Sequence, residues 1–252
     1  MGQMKTFLFV LFMFCAPLAA QAETGFIFSI LKDRVEISSG FHGGSIVVFG
    51  VKPADGNVVL VLKGPETRVL VREKNQVLGL WMDTSGVTFH SVPTLYDFAS
   101  STTEFSTEEK DILRAQGIGL DALVFEASQK KTPEDLLKFQ EAFIRKAQAE
   151  ERYAAQPKRL ETIKDQLFKI RFTLPATLPE GLYSVEGYLL RNNVIEAKDV
   201  QHFDVKPIGF AADIRRFASD SSFLYACFVT IIACLAGLLA RFLAGARLKI
   251  EK

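Results

Sequence analysis

The chain has 252 residues, with 30 Lys+Arg against 29 Asp+Glu, three cysteines, one tryptophan and 22 phenylalanines. A formal charge of +1 excludes a nucleic-acid binder acting through bulk positive charge, and 48% apolar against 23% charged residues excludes general disorder. Three cysteines are too few for a disulfide framework or a four-ligand zinc module.

The chain opens on Lys5, the apolar run Thr6 to Leu18 and then Ala20-Gln21-Ala22. A basic start, an apolar core too short to cross a bilayer and a small-x-small pattern predict a signal peptide over residues 1–22. Cleavage is placed between Ala22 and Glu23. Residues 23–220 are then an exported, periplasmic body with 25 basic and 28 acidic side chains and no cysteine. Its stability has to come from core burial.

From Arg34 to Val92 short apolar stretches alternate with turn residues, namely Gly43-Gly44, Asp55-Gly56, Gly64-Pro65, Lys74-Asn75 and Ser85-Gly86. These predict six short strands spaced about ten residues apart, the spacing of an antiparallel sandwich. Val58 to Leu62 is apolar throughout, as in a strand buried on both faces.

A helical insertion is predicted at about 104–165. Ser106-Thr107-Glu108-Glu109 is a capping box whose helix should stop at Gly117. Thr132-Pro133-Glu134-Asp135 is a second start, followed by an apolar stripe of Leu136, Phe139, Phe143 and Ala147.

Strands return at Leu167. Phe168, Ile170, Phe172 and Leu174 alternate with Lys169, Arg171 and Thr173, the period of a sheet with one wet face. Tyr183 to Arg191 and Val194 to Val205 read as a hairpin about Asn192-Asn193. Between Pro179 and Val185 the spacing is that of a tyrosine corner, with Tyr183 bonding upstream backbone and Val185 pointing into an immunoglobulin-like core. The fold class predicted is therefore mainly β, an immunoglobulin-like β-sandwich with an α-helical insertion, plus one C-terminal transmembrane helix.

That helix is Ser221 to Ala240, 20 residues without a charge, enough to cross a hydrocarbon layer ~30 Å thick. Arg241, Arg247, Lys249 and Lys252 follow it, so the positive-inside rule puts residues 241–252 in the cytoplasm. Ala233 and Gly237 form a small-residue line that permits close approach of another helix, beside the line of Ala226, Thr230 and Cys234, the alternative being that small residues are simply common in membrane helices.

The search for chemistry yields little. His42, His90 and His202 are not at metal-ligand spacing from one another, and the glycines at 40–44 lack the Lys-Ser/Thr of a phosphate loop. No G-x-S-x-G elbow occurs, and no cofactor is implied. Trp81 reads as a core aromatic on a strand, with an interface anchor as the alternative. The reading is a binding or interaction module and not an enzyme. The rival is a periplasmic metal-binding protein or metal-dependent enzyme using His42, His90 or His202, which folding would have to bring together.

The phrases VEISSGFHGGSIVVFG (35–50), VLVLKGPETRVLVREKNQVLGLWMD (59–83), PTLYDFASS (93–101), FQEAFIRKAQAEERY (139–153) and LFKIRFTLPATLPEGLYSVEGYLLRNNVI (167–195), followed by a C-terminal apolar helix, resemble one family. It is the proteobacterial transmembrane protein family, also called the alpha-proteobacterial transmembrane proteins, and the likeness runs from about Asp33 to the end. The resemblance implies a single-pass protein of the bacterial cytoplasmic membrane, and brings no catalytic residue to carry over. It also implies a partner class, an integral membrane protein of the sulfite-exporter-type permeases. The expectation is an accessory subunit that docks on such a permease in the lipid bilayer.

Overall fold

A computed structural model describes residues 25–250 apart from 39, 78, 103 and 130. The apolar run Thr6 to Leu18 and the cleavage position Ala22/Glu23 lie outside the described residues. The body is mostly β. Its strands are β1 (Ile27–Ile30), β2 (Arg34–Ile37), β3 (Gly44–Val51), β4 (Asn57–Lys63), β5 (Glu66–Val77), β6 (Leu80–Pro93) and β7 (Tyr96–Ser100). After helix α1 (Thr107–Ala115) come β8 (Glu126–Ala127), helix α2 (Pro133–Ala149), β9 (Lys158–Arg159), β10 (Glu161–Ile163), β11 (Leu167–Leu174), β12 (Gly181–Arg191) and β13 (Val194–Pro207). Two helices close the chain, α3 (Phe210–Asp220) and α4 (Ser222–Ile250).

Two sheets face each other. The first has the order β1-β3-β11-β10 and the second β2-β13-β12-β4-β7-β9. Phe28, Val48, Phe168 and Phe172 of the first pack against Leu60, Leu62, Val185 and Phe203 of the second in one core. At both edges a short segment changes sheet. β1 leaves the first sheet and β2 joins the second, parallel to β13; β9 lies on the second and β10 on the first, with Leu160 between them in the core. Such crossings close the sides of stacked sheets.

The second sheet is covered on its other face as well. Val59, Val61, Tyr188 and Leu190 meet Val87 and Phe89 of the β5–β6 hairpin, Leu113 of α1, and Phe139, Phe143 and Ala147 of α2. The apolar run Val58 to Leu62 of β4 thus sends Val58, Leu60 and Leu62 into one core and Val59 and Val61 into the other. In β11 the period-2 pattern appears as predicted, with Phe168, Ile170, Phe172 and Leu174 buried and the residues between exposed. The absence of a Cβ on Gly187 and Gly50 makes room for Phe26, Phe28 and Phe168 in the first core.

Local signals decide most element ends. Ser106 caps α1 with the full reciprocal capping box, and Gly117 at φ +68° follows its end. Thr132 caps α2, with Pro133 at its first position. Asn192 and Asn193 both take positive φ, the backbone that a two-residue hairpin loop needs.

Three readings need correction. Lys74-Asn75 and Ser85-Gly86 are not turns; β5 and β6 run through them with register irregularities, held by the cross-strand bond from Asn75 Nδ2 to Thr84 Oγ1 at 2.8 Å. The chain reverses beyond them, beside Gly79 at φ +82°. Trp81 is therefore not a core residue: it stands 72% exposed near the end of that hairpin. Finally, the insertion at about 104–165 is not purely helical: it contains α1 and α2 together with β8, β9 and β10. The segment before the apolar run, for which the sequence predicted no element, forms a separate helix, α3.

Candidate functional site

A groove of about 340 Å³ opens where the β5–β6 hairpin leaves the second sheet. At that level the hairpin no longer covers the sheet, so side chains that would point into the second core meet solvent instead. The floor is Lys63 of β4, Ser184 and Glu186 of β12, and His202 of β13; Pro65, Ser91, Phe125 and Leu182 stand around it. Ser91 takes φ +51°, an uncommon conformation for a residue with a side chain, at the bend where β6 ends.

Glu186 is the centre of the polar cluster. Lys63 Nζ lies 2.9 Å from its Oε1, and Tyr188 donates its hydroxyl to Oε2, which also faces Lys198 Nζ at 3.5 Å. Lys198 in turn sits over the Tyr188 ring. The carboxylate is 15% exposed. Burial works to raise its pKa, but the bonds from Tyr188 and Lys63 and the charge of Lys198 prevail and hold it below the ordinary carboxylate value. Burial together with the Glu186 contact pushes the Tyr188 hydroxyl far up, so it stays a donor. The groove therefore combines charged and polar groups on Lys63, Glu186 and Ser184, the exposed ring of His202 beside Ser184, and apolar walls from Pro65, Leu182 and Phe125.

The histidines stand on separate elements. His42 is exposed in the loop before β3, His202 is exposed on β13, and His90 of β6 accepts from Arg68 Nε through Nδ1 while its Nε2 meets Ser128 Oγ. Among the described residues no group of three or more His, Cys, Asp or Glu is gathered as a metal site. Ala233 and Gly237 lie on α4, whose span Ser222–Arg241 is long and apolar enough to cross a membrane and is not buried against the body. Sequence reading missed the Glu186 cluster. The available signal was a charge inside β12, where the half-buried Ser184 and Glu186 alternate with the buried Tyr183, Val185 and Gly187.

The family model described as "Putative transmembrane protein (Alph_Pro_TM)" matches residues 26–245. It is the family that the quoted phrases resemble. No curated protein matches the chain.

Proposed function

The chain belongs to the Alph_Pro_TM family of transmembrane proteins, and from that premise we propose that it is a membrane-anchored binding module, an accessory subunit docking on an integral membrane protein. One observation carries the reading. Only Ile208 and Gly209 separate β13 from α3, and α3 has 11 residues, ~16 Å at helical rise. So short a tether keeps the β body at the bilayer surface, where the partners within reach are those in the same membrane.

The body is read as immunoglobulin-like and exported. The strand orders of the facing sheets, the parallel pairing of β2 with the last strand, and the bond from the Tyr183 hydroxyl to the Pro179 carbonyl at 2.8 Å support the first part. The basic residues after Ala240 support a cytoplasmic C-terminus in the bacterial inner membrane. The role is recognition and not catalysis, the groove about Glu186 being the docking surface on the body. The partner proposed is a multi-span permease of the sulfite-exporter type.

The test is isolation of the full chain in native membrane discs, with mass spectrometry of what accompanies it. A multi-span protein retained by the wild type and lost on Lys63→Glu supports the reading. Retention of the same partner after residues 26–207 are exchanged for an unrelated domain overturns the docking role.

A further inference from the structure

Helix α3 carries a surface that the body does not use. Phe210, Ile214 and Phe217 fall at i, i+4 and i+7 and make one apolar stripe. They are 81%, 39% and 41% exposed, and no residue of α3 is buried. A stripe of two phenylalanines and an isoleucine left in water has no stabilising role of its own.

The opposite face has a different neighbour. Ala212, Arg215, Arg216 and Ser219 turn toward Glu180, Lys206 and Pro207, at the ends of β12 and β13, across a shared groove. Arg215 pairs with Glu180 at 3.1 Å. The polar side of α3 therefore looks at the body and its apolar side looks away from it.

The connection to α4 gives the apolar side its occupant. Ser221 leaves helical geometry at φ −136° and ψ 56°, so α3 and α4 are two helices with a joint between them. The Phe217 ring meets the Tyr225 ring edge-on across that joint, at 6.1 Å between centroids. Tyr225 lies in the first turn of the span that crosses the membrane, where aromatic rings favour the headgroup level. The stripe of α3 is thus continuous, through Phe217 and Tyr225, with the exposed apolar surface at the start of α4.

We propose that α3 is an interfacial helix that lies in the bilayer surface, with Phe210, Ile214 and Phe217 in the headgroup–acyl boundary and Ala212, Arg215 and Ser219 against the β body. The lipid surface is the ligand. Membrane-surface helices are built this way, with an apolar stripe, a charged opposite face and low net hydrophobicity. The helix then acts as a platform that fixes the tilt of the body over the bilayer, and so the angle from which the groove meets a partner. The proposal rests on the membrane-anchored part of the function proposed above.

The single tryptophan makes the test direct. Trp81 is exposed, so Trp81→Phe yields a tryptophan-free full chain. Into it Phe210→Trp, Ile214→Trp, Phe217→Trp, Ser219→Trp or Phe228→Trp is introduced, and each variant is placed in discs of phosphatidylethanolamine and phosphatidylglycerol. Lipids brominated near the headgroup should quench the three stripe positions several-fold more than Ser219→Trp, with a blue-shifted emission. Equal quenching at all four positions overturns the interfacial helix. So does shielding of the stripe that disappears as the chain is diluted with excess lipid, which would mean a second copy. Phe228→Trp, read with deeper bromine labels, reports the span separately. If it is quenched and the stripe is not, the anchor stands and α3 is not at the surface; if neither is quenched, both readings fail.

Discussion

Lys63 on β4 reaches across to Glu186 on β12, Nζ to Oε1 at 2.9 Å, at the point where the second sheet loses its cover. The pair joins two central strands and forms the floor of the groove at once. Glu186 is held below its ordinary value of 4.5, so its stabilising effect is fully present above that pH and is lost as pH falls through the folded value. Glu186→Gln should cost about 1 kcal/mol at neutral pH, since the site is partly open to water. Thermal melts of the detergent-solubilised chain should show the gap to wild type closing below pH 4.5.

Asp97 gives the opposite slope. It is buried on β7, receives the Phe98 backbone N–H at 2.8 Å and pairs with Lys158 of β9. Burial raises its pKa above 3.8 although Lys158 and Phe98 oppose the shift. The folded state then holds the proton more tightly than the unfolded chain, so stability falls as pH rises from 3.8 through the folded value. Asp97→Asn should flatten that part of the melting curve. Lys158→Met leaves the carboxylate without its cation and should cost about 2 kcal/mol at neutral pH, less than a fully buried pair because Lys158 is partly exposed.

Gly187 tests the packing of the first core. A Cβ there would fall on the Phe28 ring, with Phe26 beside it. Both rings are buried between the sheets and the β12 backbone is paired on both sides, so neither yields easily. Gly187→Val should destabilise by about 3 kcal/mol, at the upper end of overpacking. Denaturant midpoints check this.

Tyr183 is fully buried and bonded to the Pro179 carbonyl four residues upstream. Tyr183→Phe keeps the ring stack on Phe203 at 5.2 Å and removes only the hydroxyl, so the cost should be about 1 kcal/mol. Unfolding of this variant beside Gly187→Val separates a lost hydrogen bond from lost space.

What the chain revealed before folding follows from the range of each signal. The capping box at Ser106, the proline start at Pro133, the Asn192-Asn193 loop and the alternation of β11 are local, and each appears where the residues place it. The doubly buried β4 was legible because both its neighbours in space demand apolar contacts. The long β5–β6 hairpin was not, since Lys74, Asn75, Ser85 and Gly86 are turn residues by type and only the partner strand keeps them extended. Trp81 misled for the same reason: a large aromatic on a strand says nothing of where the strand ends. The groove depends on contacts far apart in sequence, such as Lys63 with Glu186, and no short pattern encodes them. Helix α3 was available as an i, i+4, i+7 stripe but was overshadowed by the longer apolar run beside it.

The anchor carries the last prediction. Two small-residue lines run along α4, and the structure distinguishes them. On the first, Thr230 gives its hydroxyl to the Ala226 carbonyl at 2.8 Å, so its polar group is satisfied within the helix. On the second, a Cβ at Gly237 would meet nothing within 4 Å beyond its chain neighbours and the adjacent turns of its own helix. A leucine at Gly237 or Ala233 therefore leaves the fold of the chain undisturbed and obstructs only close approach by another helix. With expression matched, Ala233→Leu and Gly237→Leu should lower co-isolation of the proposed multi-span partner several-fold, while Leu239→Ala should leave it at wild-type level. Recovery of the partner in equal amount with all three variants would show that the helix serves as an anchor alone, leaving recognition to the β body.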